Sequence, residues 1–345
     1  MIQTHEPLGP LLIGIEGLEL ANGEAACLAH PAVGGVVLFS RNYQDPDQLQ
    51  SLTHAIRSES GRDLLITVDH EGGRVQRFRQ GFTPLPPLGL LGRMYGDHQD
   101  MALDMAYRHG RVMATELLVR GVDMSFAPVL DLDRGSRVIG ERSFSADPEA
   151  VGRLAGHYLA GMHDAGMKTC GKHFPGHGSV EADSHTDDVV DPRSLERIKS
   201  SDLLPFAATI DQLDAVMMAH VCYPATDRLP AGYSRRWIGD ILRAEMGFSG
   251  VVISDDLVMQ AALIAGKLAD RLRAALEAGC DVALVCDPAA ARELLASLDG
   301  APSDATEPLQ RLRGRSQHTM EEIETVGEWR HWRQSIKDLE HSQWA

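Results

Sequence analysis

The chain has no apolar run approaching the ~18 residues that a membrane-spanning helix needs. Its first residues, Met1-Ile2-Gln3-Thr4-His5-Glu6-Pro7, show neither a basic start nor an apolar stretch of leader length, so a cytoplasmic protein without membrane partners is expected. Positive charge is scarce. Lys plus Arg number 33 against 49 Asp plus Glu, a formal net charge of −16, and such a surface repels nucleic acid and anionic lipid. Cysteine is also sparse. Cys27, Cys170, Cys222, Cys280 and Cys286 are odd in number, scattered and free of any CxxC spacing, which favours buried free thiols over a disulfide framework or a thiolate metal site. Aromatics make up only 5% of the chain, and no Gly-rich dinucleotide fingerprint follows the first apolar run.

What is present is alternation. Eight short β-rich runs recur: Leu11–Ile15, Gly35–Phe39, Leu64–Val68, Met124–Val129, Lys168–Gly171, Ala215–Ala219, Val251–Ile253 and Val282–Val285. Helical patterns separate most of them, near Asp47–Ser58, Gln99–Val119, Pro148–Ala165, Ser194–Leu213, Arg236–Met246, Val258–Ala278 and Ala289–Leu298. Strands alternating with helices imply a parallel sheet, and eight units are the number for a closed (β/α)₈ TIM barrel. An open doubly wound sheet is the alternative. The barrel is assigned to residues 1–303 as a single domain. Residues 304–345 read as extra C-terminal helices docked on it through Trp329, Trp332 and Trp344.

Ionisable residues cluster at predicted strand ends: Asp69, Asp131, Lys172-His173, His220 and Asp255. The C-terminal ends of the strands form the active-site face of such barrels. From Phe174 to Arg193 the chain loses periodicity, and loops of that length in compact domains are usually functional or disordered. This one carries Asp183-Ser184-His185. In extended backbone, residues two apart project to the same side, so the Asp183 carboxylate can fix the tautomer of His185. That leaves the other ring nitrogen as a proton donor near neutral pH. Asp255, at the end of its strand, is placed to face that acid/base across a cleft, while Asp256 is free to cap the following helix.

These segments together resemble glycoside hydrolase family 3, and within it the single-domain bacterial β-N-acetylhexosaminidases of peptidoglycan recycling. The matching pieces are Val68-Asp69-His70-Glu71-Gly72-Gly73-Arg74-Val75-Gln76-Arg77, Ile139-Gly140-Glu141-Arg142-Ser143-Phe144, Lys172 through Gly178, Asp183-Ser184-His185 and Ser254-Asp255-Asp256-Leu257. The resemblance implies a retaining exo-enzyme that removes terminal N-acetylglucosamine from β-1,4-linked anhydromuramyl peptides. Asp255 would be the nucleophile and His185 the acid/base oriented by Asp183. Asp69, Arg77, Arg142, Lys172 and His173 would contact the sugar. Larger members of the family take a Glu acid/base from a second domain; here the 174–193 loop is expected to supply it.

Neither cofactor nor metal is implied, and a monomer is expected. Two rivals share these residues. Phosphate in place of water would make a phosphorylase, because a neutral His base does not repel it. His173, His177, His185 and Asp183 could instead ligate zinc in a metal-dependent hydrolase, although Lys172 beside them would repel a cation. A sugar-binding protein with a degenerate site is a third reading, and it sits poorly with a full set of catalytic residues.

Overall fold

In the computed structural model, residues 7–180, 189–339 and 342–344 are described. Eight strands form one sheet: β1 (Leu11–Gly14), β2 (Val33–Leu38), β3 (Leu65–Val68), β4 (Met124–Ser125), β5 (Cys170–Phe174), β6 (Ala215–Met218), β7 (Val251–Asp256) and β8 (Val282–Val285). Their order is β4-β3-β2-β1-β8-β7-β6-β5, with every adjacent pair parallel. A parallel bridge from Val129 to Lys172 joins the two ends, so the sheet closes into the (β/α)₈ barrel that the alternation predicts. Strands of Leu, Ile and Val buried on both faces are what a parallel sheet covered by helices requires.

Three of the surrounding helices begin at an Asp-Pro pair. Helices α1 (Glu24–Leu28), α2 (Pro46–Ser60), α3 (Leu88–Asp97), α4 (Gln99–Leu118), α5 (Pro148–Asp164), α6 (Leu195–Lys199), α7 (Leu203–Thr209), α8 (Leu268–Ala278) and α9 (Pro288–Ala296) follow in chain order. Asp45, Asp147 and Asp287 each accept backbone N–H bonds at the N-termini of α2, α5 and α9, with proline in the first turn. The proline has no N–H to leave unsatisfied there, and its fixed φ suits a helix start.

Some element boundaries differ from the sequence reading. The run Met124–Val129 pairs with β3 only through Ser125, because Pro128 has no N–H for the ladder. Its continuation pairs with β5 instead, where Cys170 donates to Ala127 O and Leu130 to Lys172 O. Strand β5 starts two residues later than predicted and extends through Lys172 and His173, so these sit within the ladder rather than beyond it. The expected helix Ser194–Leu213 is broken into α6, α7 and a 3₁₀ turn, with Pro205 in the first turn of α7. The expected helix Val258–Ala278 is a 3₁₀ segment, Gln260–Ala265, followed by α8.

The tail forms α10 (Thr306–Arg311), α11 (Met320–Thr325) and α12 (Gly327–Leu339). Arg111 of α4 stacks its guanidinium on Trp332, 5.1 Å from the ring centre, and Arg333 binds Glu116 at 2.7 Å. Trp344 lies against His98. All five cysteines are free, but only Cys170 and Cys280 are fully buried; Cys27, Cys222 and Cys286 are half-buried. Among the described residues, no helix is long and apolar enough to cross a membrane.

Candidate active site

At the C-terminal ends of the strands lies a cavity of about 400 Å³. It is lined by six of the residues singled out in the sequence: Asp69, Arg77, Arg142, Lys172, His173 and Asp255. Asp183 and His185 lie outside the described residues. The flanks of their loop are anchored: Tyr223 Oη donates to Gly176 O, and Val190 bridges Cys222. Arg193 is held by Asp191 and Asp202.

The floor is a buried charge network. Lys172 Nζ lies 2.7 Å from Asp69 and 2.6 Å from Glu71, and Arg142 grips Glu71 with two bonds of 2.8 Å. Arg77 stands 3.6 Å from the other oxygen of Asp69. Burial alone would raise both carboxyls; Lys172 and Arg77 outweigh it at Asp69, and Arg142 and Lys172 do so at Glu71, so both are held below their ordinary range. The two acids therefore stay ionised and the two cations charged. Glu71 lies two residues beyond Asp69 in the same motif. That spacing was visible in the sequence, but nothing in one chain revealed that Arg142, from a 3₁₀ turn, and Lys172, from β5, converge on it.

A second buried acid orients the histidine. Asp131 Oδ2 lies 2.6 Å from His173 Nδ1, and the carboxylate also accepts from the backbone N–H groups of His173 and His177. With Nδ1 committed to Asp131, His173 presents Nε2 to the cavity. Burial would raise the Asp131 carboxyl, but His173 and His177 lower it overall.

Asp255 accepts the N–H of Asp256 at 2.8 Å. The sequence placed Asp255 at the cleft and left Asp256 to cap the following helix, yet both line the cavity. Asp256 does not cap a helix: its Oδ1 accepts from Val258 N at 3.1 Å and from Cys286 N at 3.2 Å, tying the end of β7 to β8. Burial lifts its carboxyl to about 6. His220, also at a strand end, is buried beside Tyr233 and is absent from the cavity lining. Burial holds its imidazole below the ordinary histidine value, against the opposing pull of the Asp255 carboxylate and the backbone of Asp255 and Asp256.

The arrangement offers ionised acceptors and fixed donors for hydroxyl groups, and one further carboxylate, Asp255, that no cation holds among the described residues. That is the equipment of a pocket for a polar, hydroxyl-rich ligand, with a carboxylate beside it.

The glycosyl hydrolase family 3 N-terminal domain matches residues 8–320. The beta-hexosaminidase of Thiobacillus denitrificans is 53% identical over 315 residues, covering 90% of this chain and 88% of its own. That of Tolumonas auensis is 51% identical over 305 residues, covering 88% and 90%. The crystal structure of NagZ from Neisseria gonorrhoeae in complex with N-trifluoroacetyl-D-glucosamine superposes with a TM-score of 0.91 at 43% identity, covering 97% of this chain and 99% of that one. A family 3 β-N-acetylglucosaminidase from a Paenibacillus strain has a TM-score of 0.82 at 32% identity; the match takes in 98% of this chain but 69% of that longer one. With the barrel, the ordered motifs and these matches in agreement, the chain belongs to glycosyl hydrolase family 3.

Proposed function

We propose that this enzyme is a retaining exo-β-N-acetylhexosaminidase. It removes terminal N-acetylglucosamine from β-1,4-linked anhydromuramyl peptides in the recycling of peptidoglycan, acting as a single chain in the cytoplasm. The observation that carries the reading is the pairing of Asp255, held by no cation among the described residues, with the fixed Asp69–Lys172–Glu71–Arg142 floor of one cavity. The relatives named beta-hexosaminidase, and the neighbour holding an N-acylated glucosamine, support the choice of sugar.

In this mechanism Asp69 accepts from the sugar hydroxyls, and Arg77, Arg142, Lys172 and His173 donate to hydroxyl and acetamido oxygens. A carboxylate oxygen of Asp255 attacks the anomeric carbon, and the bond to the leaving oxygen breaks as His185 protonates it. A covalent glycosyl-enzyme results. His185 then takes a proton from water, which attacks the same carbon and releases Asp255. Asp183 orients His185 throughout.

The test is turnover of 4-nitrophenyl N-acetyl-β-glucosaminide beside the matching glucoside, followed by mass spectrometry after a slow 5-fluoro glycosyl donor. The reading expects preference for the N-acetyl sugar and an adduct on Asp255. Preference for the glucoside overturns the sugar, and an adduct on Asp256 or none at all overturns the nucleophile.

A further inference from the structure

Five cations line the active-site cavity: Arg74, Arg77, Arg137, Arg142 and Lys172. This is a concentration of positive charge in a chain of net charge −16. Four of them have protein acceptors. Arg142 and Lys172 are spent on Glu71 and Asp69, Arg77 faces Asp69, and Arg74 donates to the carbonyl of Val138. Arg137 is different. It is exposed, it lines the cavity, and among the described residues it makes neither a hydrogen bond nor an ion pair.

Its position is nevertheless fixed. The next carbonyl, Val138 O, accepts from Arg74 and, at 3.2 Å, from Arg142 Nη1. On one side Ser136 is buried and donates its N–H to Gly178 O at 3.2 Å; on the other, Ile139 is 1% exposed. The backbone that carries Arg137 is thus clamped by the same guanidinium group that grips Glu71 on the cavity floor. A guanidinium on fixed backbone, in water and without a partner, is a preorganised receptor for an oxyanion.

We propose that Arg137 determines specificity on the leaving-group side by binding a carboxylate carried by the aglycone. This rests on the glycosidase reading of the same cavity. A terminal sugar occupies the closed end, at Asp69 and Lys172, with its anomeric carbon toward Asp255. The remainder of the substrate must leave through the open rim, where Arg137 stands. Arg142 and Lys172 cannot take this role, because their charge is already neutralised by buried carboxylates.

The experiment uses two synthetic aryl β-N-acetylglucosaminides of nearly equal shape, one bearing a carboxylate on the ring and the other a carboxamide. The kcat/KM ratio of the pair is measured for the wild type, Arg137→Gln and Arg137→Lys. Comparing ratios between proteins cancels any difference in leaving-group acidity. Arg137→Gln is expected to lower the carboxylate-to-carboxamide ratio about fivefold, the size of an exposed charge-assisted contact. Arg137→Lys should retain most of it, and the wild-type preference should fade in high salt. A ratio identical in wild type and Arg137→Gln overturns the proposal while leaving the glycosidase reading intact. If the wild type cleaves neither glycoside, the glycosidase reading itself falls, and the role of Arg137 falls with it.

Discussion

Lys172 Nζ lies 2.6 Å from Oε1 of Glu71, with 1% and 2% of the two side chains exposed. Glu71 also receives both bonds from Arg142, so one carboxylate is shared by two buried cations. Glu71→Gln keeps the shape and removes the charge, leaving Asp69 alone to balance Lys172 and Arg142. Removing one partner of a buried ionic cluster costs about 3–5 kcal/mol, because the remaining charges stay desolvated. Denaturant unfolding of Glu71→Gln should show a loss of that order, with Glu71→Asp intermediate. A loss below about 1 kcal/mol would mean that water reaches these groups.

Asp131 is expected to act through His173. Asp131→Asn retains an oxygen for the backbone N–H groups but turns a charge-assisted bond to Nδ1 into a weaker one, and it frees the imidazole to change tautomer. The bond at stake is worth about 1.5–3 kcal/mol, so kcat/KM on a simple N-acetylglucosaminide should fall about 10- to 100-fold. Asp131→Glu, which restores the carboxylate, should recover part of that loss. A drop in activity matched by an equal drop in stability, with no recovery in Asp131→Glu, would reduce Asp131 to a structural brace.

The barrel was legible because parallel strands buried on both faces read as short apolar runs, and runs such as Val282–Val285 ended where the structure ends them. Boundaries failed where side-chain chemistry and strand geometry overlap. Lys172, His173, Asp255 and Asp256 continue their ladders, although charged residues ordinarily mark loops. The helix α3 was missed because it follows Pro-rich, Gly-containing sequence whose stop signals mask a ten-residue amphipathic turn. In the site, individual residues could be read from motifs, but their partners could not. Glu71 with Arg142, and Asp131 with His173, are 71 and 42 residues apart, and only closure of the barrel brings them together.

Helices α4 and α5 approach through glycines. A Cβ at Gly110 would lie 2.3 Å from the carbonyl oxygen of Tyr158, and one at Gly161 would lie 2.1 Å from that of Tyr107. Both neighbours are backbone and cannot rotate away. Gly110→Ala gains up to ~1 kcal/mol of helix propensity, yet it must push the helices apart, at about 1–3 kcal/mol or more. A net fall in melting temperature is expected. Gly96→Ala in α3 is the control, since nothing lies within 4 Å of its Cβ and its neighbour Asp97 ends that helix. It should be neutral or slightly stabilising, and equal losses at the two sites would refute the close-approach argument.

Asp256 should write a specific signature into the pH dependence of stability. Burial raises its carboxyl from 3.8 to about 6 in the folded protein, with the neighbouring Asp255 adding to the rise. A group whose folded pKa is raised contributes stability in full below its unfolded value, and that contribution is lost as pH rises through the folded value. The loss therefore falls between about pH 4 and pH 6, and two pKa units correspond to roughly 2–3 kcal/mol. Asp256→Asn preserves an acceptor for Val258 and Cys286 but cannot ionise. The stability of wild type minus that of Asp256→Asn should thus fall as pH climbs through this window and level off above about 7. Thermal unfolding of both proteins from pH 4 to pH 8 measures it, with other titrating groups cancelling in the difference. A flat difference would show that Asp256 ionises at the same pH folded and unfolded, and a difference that grows with pH would mean that a cation stabilises its charged form.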